Sequence, residues 1–148
     1  MNAIKTPIEL RHPVDVFLGN IRLSKRQQSI LDKLPAFGDR ATFRKREVSM
    51  LDLSALTAKT GDEFAMFTLK GKRLVVRGNN SEVQLYENDL IILHNEGYRL
   101  SGHTHPGRTD ADLIASQGDM DVLKIMNQNN SSIYNALGRR KLIHPKEE

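Results

Sequence analysis

Two histidines lie two residues apart in the run Gly102-His103-Thr104-His105-Pro106. Side chains alternate faces along a strand, so His103 and His105 would project to the same side with Cβ atoms about 6.5–7 Å apart. Two imidazoles at that spacing can converge on one metal ion. The chain has no cysteine, so any metal must be bound by His, Asp or Glu. By itself, such a pair is more often two strand histidines that bind nothing.

A carboxylate shortly downstream could complete a metal site. A catalytic zinc typically has three protein ligands and leaves one position for water. Asp119, in the run Ser116-Gln117-Gly118-Asp119, is the nearest suitable residue. The Ser-x-x-Asp pattern is also typical of an ordinary helix start, which needs no metal. We therefore take His103, His105 and Asp119 as candidate zinc ligands at the mouth of one strand-loop-helix unit.

Hydrolysis at such a site also needs a group that takes and returns a proton. Glu63 is our candidate, because it opens the apolar run EFAMF and shares a pleat face with Ala65 and Phe67. The alternative is a plain charge at a strand end. Asp89 and Glu96 are weaker candidates for the same role.

Cap signals place the first two helices. Ser24 precedes KRQQSILDKL, and that helix should end at or before Pro35. Ser49 and Asp52 have the spacing of a capping box, and Gly61 is a suitable helix stop.

After residue 61 the apolar period changes from about 3.6 to 2, which predicts strands. We expect a hairpin over residues 63–69 and 73–77, a short strand running into the histidine pair, and a helix that begins after Ser116. Residues 85–94 fit a helix or a strand, and residues 132–137 and 141–143 are predicted as the last strands. The predicted fold class is α+β, a small mixed sheet with flanking helices.

Positive charge is concentrated near the N-terminus. Residues 1–50 contain ten Lys and Arg against five Asp and Glu, whereas the rest of the chain contains twelve against thirteen. We interpret residues 1–45 as a basic arm with one short helix and residues 46–148 as the hydrolase domain. The arm could contact a partner, but it has little aromatic interleaving, so we favour a solvated basic face and expect no nucleic-acid partner.

The order of these elements resembles the JAB/MPN (JAMM) metalloprotease domain. The shared features are a helix, a Glu on a strand, His-x-His-Pro, and Ser-x-x-Asp opening a helix, over about residues 46–143. The short segments SGHTHPG and ASQGD are also similar to JAB-like domains attached to phage head proteins and bacterial polymorphic toxins.

The resemblance implies a zinc-dependent hydrolase of peptide or isopeptide bonds. His103, His105 and Asp119 would bind Zn²⁺, Glu63 would hold and deprotonate the catalytic water, and Ser116 would stabilise the oxyanion. Thirteen residues separate His105 from Asp119, where the family pattern has about ten, so the loop should bulge, which costs little entropy.

Two other functions stay open. The same fold could be a binding module that docks a protein or nucleic acid through its basic segment, or a metal-dependent nuclease that joins the metal site to that segment. No apolar run approaches the roughly 18 residues of a membrane helix, and no signal-peptide segment is evident. We therefore expect a protein or peptide substrate, no membrane contact, and a cytoplasmic location or a phage- or toxin-associated setting.

Overall fold

The computed structural model describes residues 8–11 and 21–145. The fold is α+β, as predicted, with a six-stranded mixed sheet, a two-stranded sheet and four α-helices in these residues. The strands are β1 (Ile8–Arg11), β2 (Arg40–Arg44), β3 (Phe64–Leu69), β4 (Lys72–Arg77), β5 (Glu82–Leu85), β6 (Arg99–Thr104), β7 (Ser131–Tyr134) and β8 (Arg140–Ile143). The helices are α1 (Lys25–Asp32), α2 (Met50–Thr60), α3 (Glu87–Glu96) and α4 (Gln117–Ile125), and a one-turn 3-10 helix covers Asp110–Leu113. None of the helices in these ranges is long and apolar enough to cross a membrane.

The six-stranded sheet has the order β2-β4-β3-β6-β7-β8. All neighbours are antiparallel except β6 and β7, which are parallel because the chain returns through α4 between them. A parallel pair requires such a crossover. The end of β6 and the start of α4 therefore meet at one end of the sheet.

Strand β3 is covered on both faces. Phe64 and Met66 face a core that contains residues of α1 and α2. Ala65 and Phe67 face a second core, which contains residues of α3, α4, β1 and β5. The sequence of β3 begins with consecutive apolar residues because both faces of the strand are covered by other elements.

Capping boxes start three of the helices. Ser24, Ser49 and Ser116 each accept a hydrogen bond from the backbone N–H three residues on, and the side chain at that position accepts one from the backbone N–H of the serine. Helix α2 ends at Gly61, whose φ of 76° lies in the left-handed region. These helix starts, and the end of α2, are confirmed within two or three residues.

The segment predicted as an arm contributes to the main body. Strand β2 is an edge strand of the six-stranded sheet, and α1 buries Ile30 beside Leu53 and Leu56 of α2. Two elements of the predicted arm, α1 and β2, are thus packed against α2 and β4 of the predicted second segment. Residues 1–7 and 12–20 of the predicted arm lie outside the described residues.

The structure resolves the ambiguity at residues 85–94 and adds three strands that were not predicted, β1, β2 and β5. Most of that segment is helix α3, with Glu87 and Asp89 in its first turn and Gly97 as a left-handed C-cap. Strand β5 precedes it and pairs with β1, from which it is distant in sequence. A pairing between strands so far apart along the chain leaves no local pattern in the amino-acid sequence of either strand.

Asp52 connects α1 to the start of α2. Its buried carboxylate accepts hydrogen bonds from Ser49, from Gln27 and from the guanidinium of Arg26. Burial alone would raise the pKa of Asp52, but the hydrogen bonds, above all that of Arg26, hold the pKa below its ordinary value. The ionised form of Asp52 therefore stabilises the fold.

We expect Asp52→Ala to lower the free energy of unfolding by about 2–3 kcal/mol at neutral pH, because a helix cap and a charge-assisted hydrogen bond are both lost. The folded pKa of Asp52 is depressed, so its contribution is complete above the unfolded pKa of about 3.9 and declines as the pH falls through the folded pKa. Urea unfolding of wild type and variant at neutral and acidic pH measures both effects.

The matched control is Asp89→Ala. Asp89 lies 3.5 Å from Arg40, and both side chains are nearly half exposed, so this variant should cost less than about 0.5 kcal/mol. Equal losses in the two variants, or a loss in Asp52→Ala that is independent of pH, would contradict the role assigned to Asp52.

Candidate metal centre

The backbone of β6 places His103 and His105 on the same side of the sheet. His103 pairs with Ala65 of β3, and His105 follows the last strand residue, with its N–H donating to Tyr134 O at 2.8 Å. The pairing with β7 therefore continues through His105. Gly102 has no room for a side chain, since an added Cβ would lie 3.0 Å from Ser132 O and 3.1 Å from a Met50 methyl carbon.

Thr104 fixes the end of β6 from the opposite face. Its hydroxyl oxygen accepts a hydrogen bond from Phe64 N–H at 2.9 Å and lies 2.6 Å from the Thr57 hydroxyl of α2. All of these groups are buried. The strand alternation predicted for His-Thr-His is thus confirmed, with both histidines directed away from α2.

Three donor atoms meet beside the N-terminus of α4. His103 Nε2 lies 3.1 Å from His105 Nε2 and 3.2 Å from Asp119 Oδ1, and His105 Nε2 lies 3.6 Å from Asp119 Oδ2. The three side chains are completely buried. Two ligands bound tetrahedrally to one zinc at about 2.0–2.1 Å are about 3.3 Å apart, so the observed separations match those of atoms that share one ion.

The orientation of His105 is set by a backbone carbonyl. His105 Nδ1 lies 2.7 Å from Asp112 O. A carbonyl oxygen can only accept, so Nδ1 carries the hydrogen and Nε2 presents its lone pair to the cluster. This is the tautomer that a metal ligand needs.

The capping box of α4 sets the orientation of Asp119. Asp119 Oδ2 accepts a hydrogen bond from Ser116 N–H at 2.8 Å, and Asp119 N–H donates to Ser116 Oγ at 3.1 Å. Asp119 Oδ1 has no hydrogen-bond partner among the described residues and faces His103 Nε2. Helix capping and ligand placement are therefore compatible uses of the same Ser-x-x-Asp pattern.

The electrostatics of the cluster favour a bound cation. Burial alone would raise the pKa of Asp119, but His103 and His105 outweigh burial and hold the pKa well below its ordinary value. Burial lowers the pKa of His105, so its neutral form is favoured. An ionised carboxylate beside a neutral imidazole lone pair is the protonation state in which metal ligands bind. This buried group could hold a metal ion.

Glu63 is held close to this cluster. It precedes β3, where its N–H donates to Asn79 O at 2.8 Å and its carbonyl accepts from Gly78 N–H at 2.7 Å. The side chain is completely buried. Burial raises the pKa of Glu63 well above its ordinary value, and the negative charges of Asp119 and Glu82 raise it further. Glu63 lies two residues before Ala65, the strand partner of His103, so its side chain is on the face of the sheet that carries the histidines.

The structure separates the other candidates from the cluster. Asp89 lies on α3, where it pairs with Arg40. Glu96 is the last residue of α3, and the groove that it lines contains none of the histidines. The alternatives to Glu63 therefore do not share its position beside Asp119.

Sequence analysis missed the residues that shape the loop between His105 and Ser116. Asp112 Oδ2 accepts hydrogen bonds from Thr109 N–H at 2.9 Å and from the Thr109 hydroxyl at 2.7 Å, which starts the 3-10 helix. Asn135 ties the loop to the β7–β8 turn through Thr109 O. The predicted bulge is thus an ordered turn, and its Thr-x-x-Asp spacing is a capping-box signal that the sequence does carry.

Neither a scan of protein-family models nor searches of curated proteins and of solved structures found a match.

We expect Asp112→Ala to weaken metal binding by about 10–100-fold, because the turn that positions the carbonyl opposite His105 loses its cap. Asp112→Asn should bind nearly as well as wild type, since the amide oxygen can still accept from Thr109. Competition against a metal chelator measures the dissociation constant, and thermal unfolding with excess chelator measures the stability of the metal-free protein.

Asp110→Ala is the control, because Asp110 lies on the same turn but is exposed and pairs with exposed Arg139. Wild-type metal affinity in Asp112→Ala would contradict the positioning role. So would an equal loss of affinity in Asp110→Ala.

Proposed function

We propose that this chain is a zinc-dependent hydrolase that cleaves peptide or isopeptide bonds, with His103, His105 and Asp119 as zinc ligands. The observation that supports it most strongly is the convergence of two imidazole nitrogens and a carboxylate at 3.1–3.6 Å in a fully buried position. Two imidazoles and one carboxylate are a donor set of catalytic zinc sites, which leave one position for water or substrate. When bound, such a metal lowers the pKa of water and polarises a carbonyl group.

Glu63 is the proton carrier in this proposal. Burial and the charge of Asp119 raise the pKa of Glu63, which suits this side chain to accept a proton from water and return it to a leaving amine. A carboxyl group with an ordinary pKa would be a poorer base. The pKa shift and the position beside Asp119 both support this role.

Ser116 is proposed to stabilise negative charge on the substrate carbonyl oxygen. Its hydroxyl accepts one hydrogen bond from Asp119 N–H, which fixes the oxygen at the N-terminus of α4. A serine hydroxyl is able both to accept and to donate a hydrogen bond. The positive end of the helix dipole favours an anion at the same place.

The substrate class rests on the resemblance to JAB/MPN domains. The element order behind that resemblance is present: α2, then Glu63 before β3, then the histidine pair at the end of β6, then Ser116 and Asp119 at the start of α4. We extend the proposal to a protein or peptide substrate met in the cytoplasm or in a phage- or toxin-associated setting.

Glu63→Gln should retain stoichiometric zinc but lose at least about a hundredfold in turnover, because general base catalysis contributes 10²–10⁴-fold. The substrate is a peptide library made from total cell protein, together with isopeptide-linked peptides, and new termini are identified by mass spectrometry. Chelation should abolish cleavage by the wild type, and added zinc should restore it.

Glu87→Gln is a matched control on the first turn of α3, and it should cleave like wild type. The proposal fails if the zinc-loaded wild type cleaves neither bond class. It also fails if His103→Ala retains full zinc content.

A further inference from the structure

Exposed cations from three separate segments meet at the end of the sheet opposite the metal centre. These segments are the β2–α2 connection, the β3–β4 turn and the start of β6. We call this surface the cationic end, and it comprises Arg44, Lys45, Arg46, Lys70, Lys72 and Arg99. Only Arg44, Lys45 and Arg46 belong to the basic N-terminal third of the sequence. The fold brings Lys70, Lys72 and Arg99 to the same surface.

Strand register brings these residues together. Arg44 pairs with Lys72 across β2 and β4, and Arg99 pairs with Thr68 across β6 and β3. His103, in contrast, pairs with Ala65 at the other end of β3. Four residues of strand, about 13 Å, separate Ala65 from the end of β3, so the two surfaces can be altered independently.

The backbone that carries these cations is ordered by hydrogen bonds. Lys45 N–H donates to Gly71 O at 2.8 Å, which joins the end of β2 to the β3–β4 turn. The guanidinium of Arg73 donates to Lys70 O at 2.7 Å and to Lys72 O at 2.9 Å across that turn. The charges are therefore presented on a preformed surface.

The cationic end is not neutralised by its surroundings. None of its six side chains forms an ion pair within the described residues, whereas Arg26 and Arg77 each pair with an aspartate. Two acidic residues adjoin it: Glu47 in the β2–α2 connection, and Glu96 at the end of α3, which lines a groove with the β3–β4 turn. The resulting charge of +4 equals the formal net charge of the whole chain.

The surface chemistry favours phosphate over an acidic protein. Protein interfaces are usually anchored by apolar or aromatic side chains and are depleted in lysine. The exposed large apolar side chains of the described residues all lie outside these segments. Exposed lysines and arginines without such an anchor suit a backbone of repeated phosphates.

The sequence led us to expect no nucleic-acid partner, but the fold adds three cations to the basic β2–α2 connection. We therefore propose that the cationic end binds the phosphate backbone of a nucleic acid, independently of the metal centre. A groove lies there between the β3–β4 turn and the end of α3, with Lys70 and Lys72 on one wall and Glu96 on the other. Phosphates lie against Lys70 and Lys72, and the negative charge of Glu96 weakens their binding. Binding is sequence-independent and strongly salt-dependent.

The test is fluorescence anisotropy with a labelled oligonucleotide, single-stranded and duplex, across a range of salt. About four phosphate contacts predict a slope of log affinity against log salt near −4, a loss of roughly a hundredfold between about 50 and 200 mM salt. The triple variant Lys45→Glu/Lys70→Glu/Lys72→Glu should bind at least tenfold more weakly. Its slope of log affinity against log salt should be smaller by about three. Glu96→Gln should bind severalfold more tightly.

The matched control is Lys25→Glu/Lys59→Glu/Lys124→Glu, which makes the same change in net charge at exposed lysines outside the cationic end. It should bind nearly as well as wild type. Equal loss in both triple variants would overturn the proposal, as would binding that is absent or flat in salt. Tighter binding to polyglutamate or to anionic lipid vesicles than to the oligonucleotide would overturn it as well.

Two further controls distinguish a loss of binding from a loss of folding. Circular dichroism establishes that each triple variant is folded, and Glu96→Gln tests the same surface without removing any cation. Zinc content should be unchanged in all three variants, so failure of this proposal and failure of the proposed hydrolase are distinguishable.

Discussion

Two imidazole nitrogens and a carboxylate group meet in a position without solvent: the nitrogens lie 3.1 Å apart, Asp119 Oδ1 lies 3.2 Å from His103 Nε2, and Asp119 Oδ2 lies 3.6 Å from His105 Nε2. This cluster constrains the elements around it. Buried polar groups must be paired, and a buried carboxylate is costly unless positive charge or hydrogen bonds compensate it. A cation held by the three side chains would compensate the carboxylate and engage both imidazole nitrogens at once.

The fold meets this constraint through the parallel pair β6–β7. The crossover brings the N-terminus of α4 to the end of β6, so Asp119 meets residues that are distant along the chain. The Ser116–Asp119 capping box then leaves Asp119 Oδ1 facing the histidines. On the other side, the Asp112 carbonyl fixes His105. Two of the three candidate ligands, His105 and Asp119, are thus oriented by hydrogen bonds to the backbone, whereas His103 Nδ1 has no hydrogen-bond partner among the described residues.

Much of this could be predicted from the sequence, because the signals are local. The capping boxes at Ser24, Ser49 and Ser116, and the apolar alternation of β3, predicted their elements closely. The β1–β5 pairing could not be predicted, since a long-range pair leaves no local pattern. The same reason hid the approach of Lys70, Lys72 and Arg99 to the β2–α2 connection. The role of Asp112 was missed because a backbone carbonyl has no signature in the sequence.

The most direct test is X-ray diffraction from crystals of protein purified without added metal, recorded above and below the zinc absorption edge. We expect one anomalous peak about 2.0–2.2 Å from His103 Nε2, His105 Nε2 and an oxygen of Asp119. A map with no peak at this position, and with the two Nε2 atoms still in direct hydrogen-bond contact, would contradict the assignment of these residues as a zinc centre.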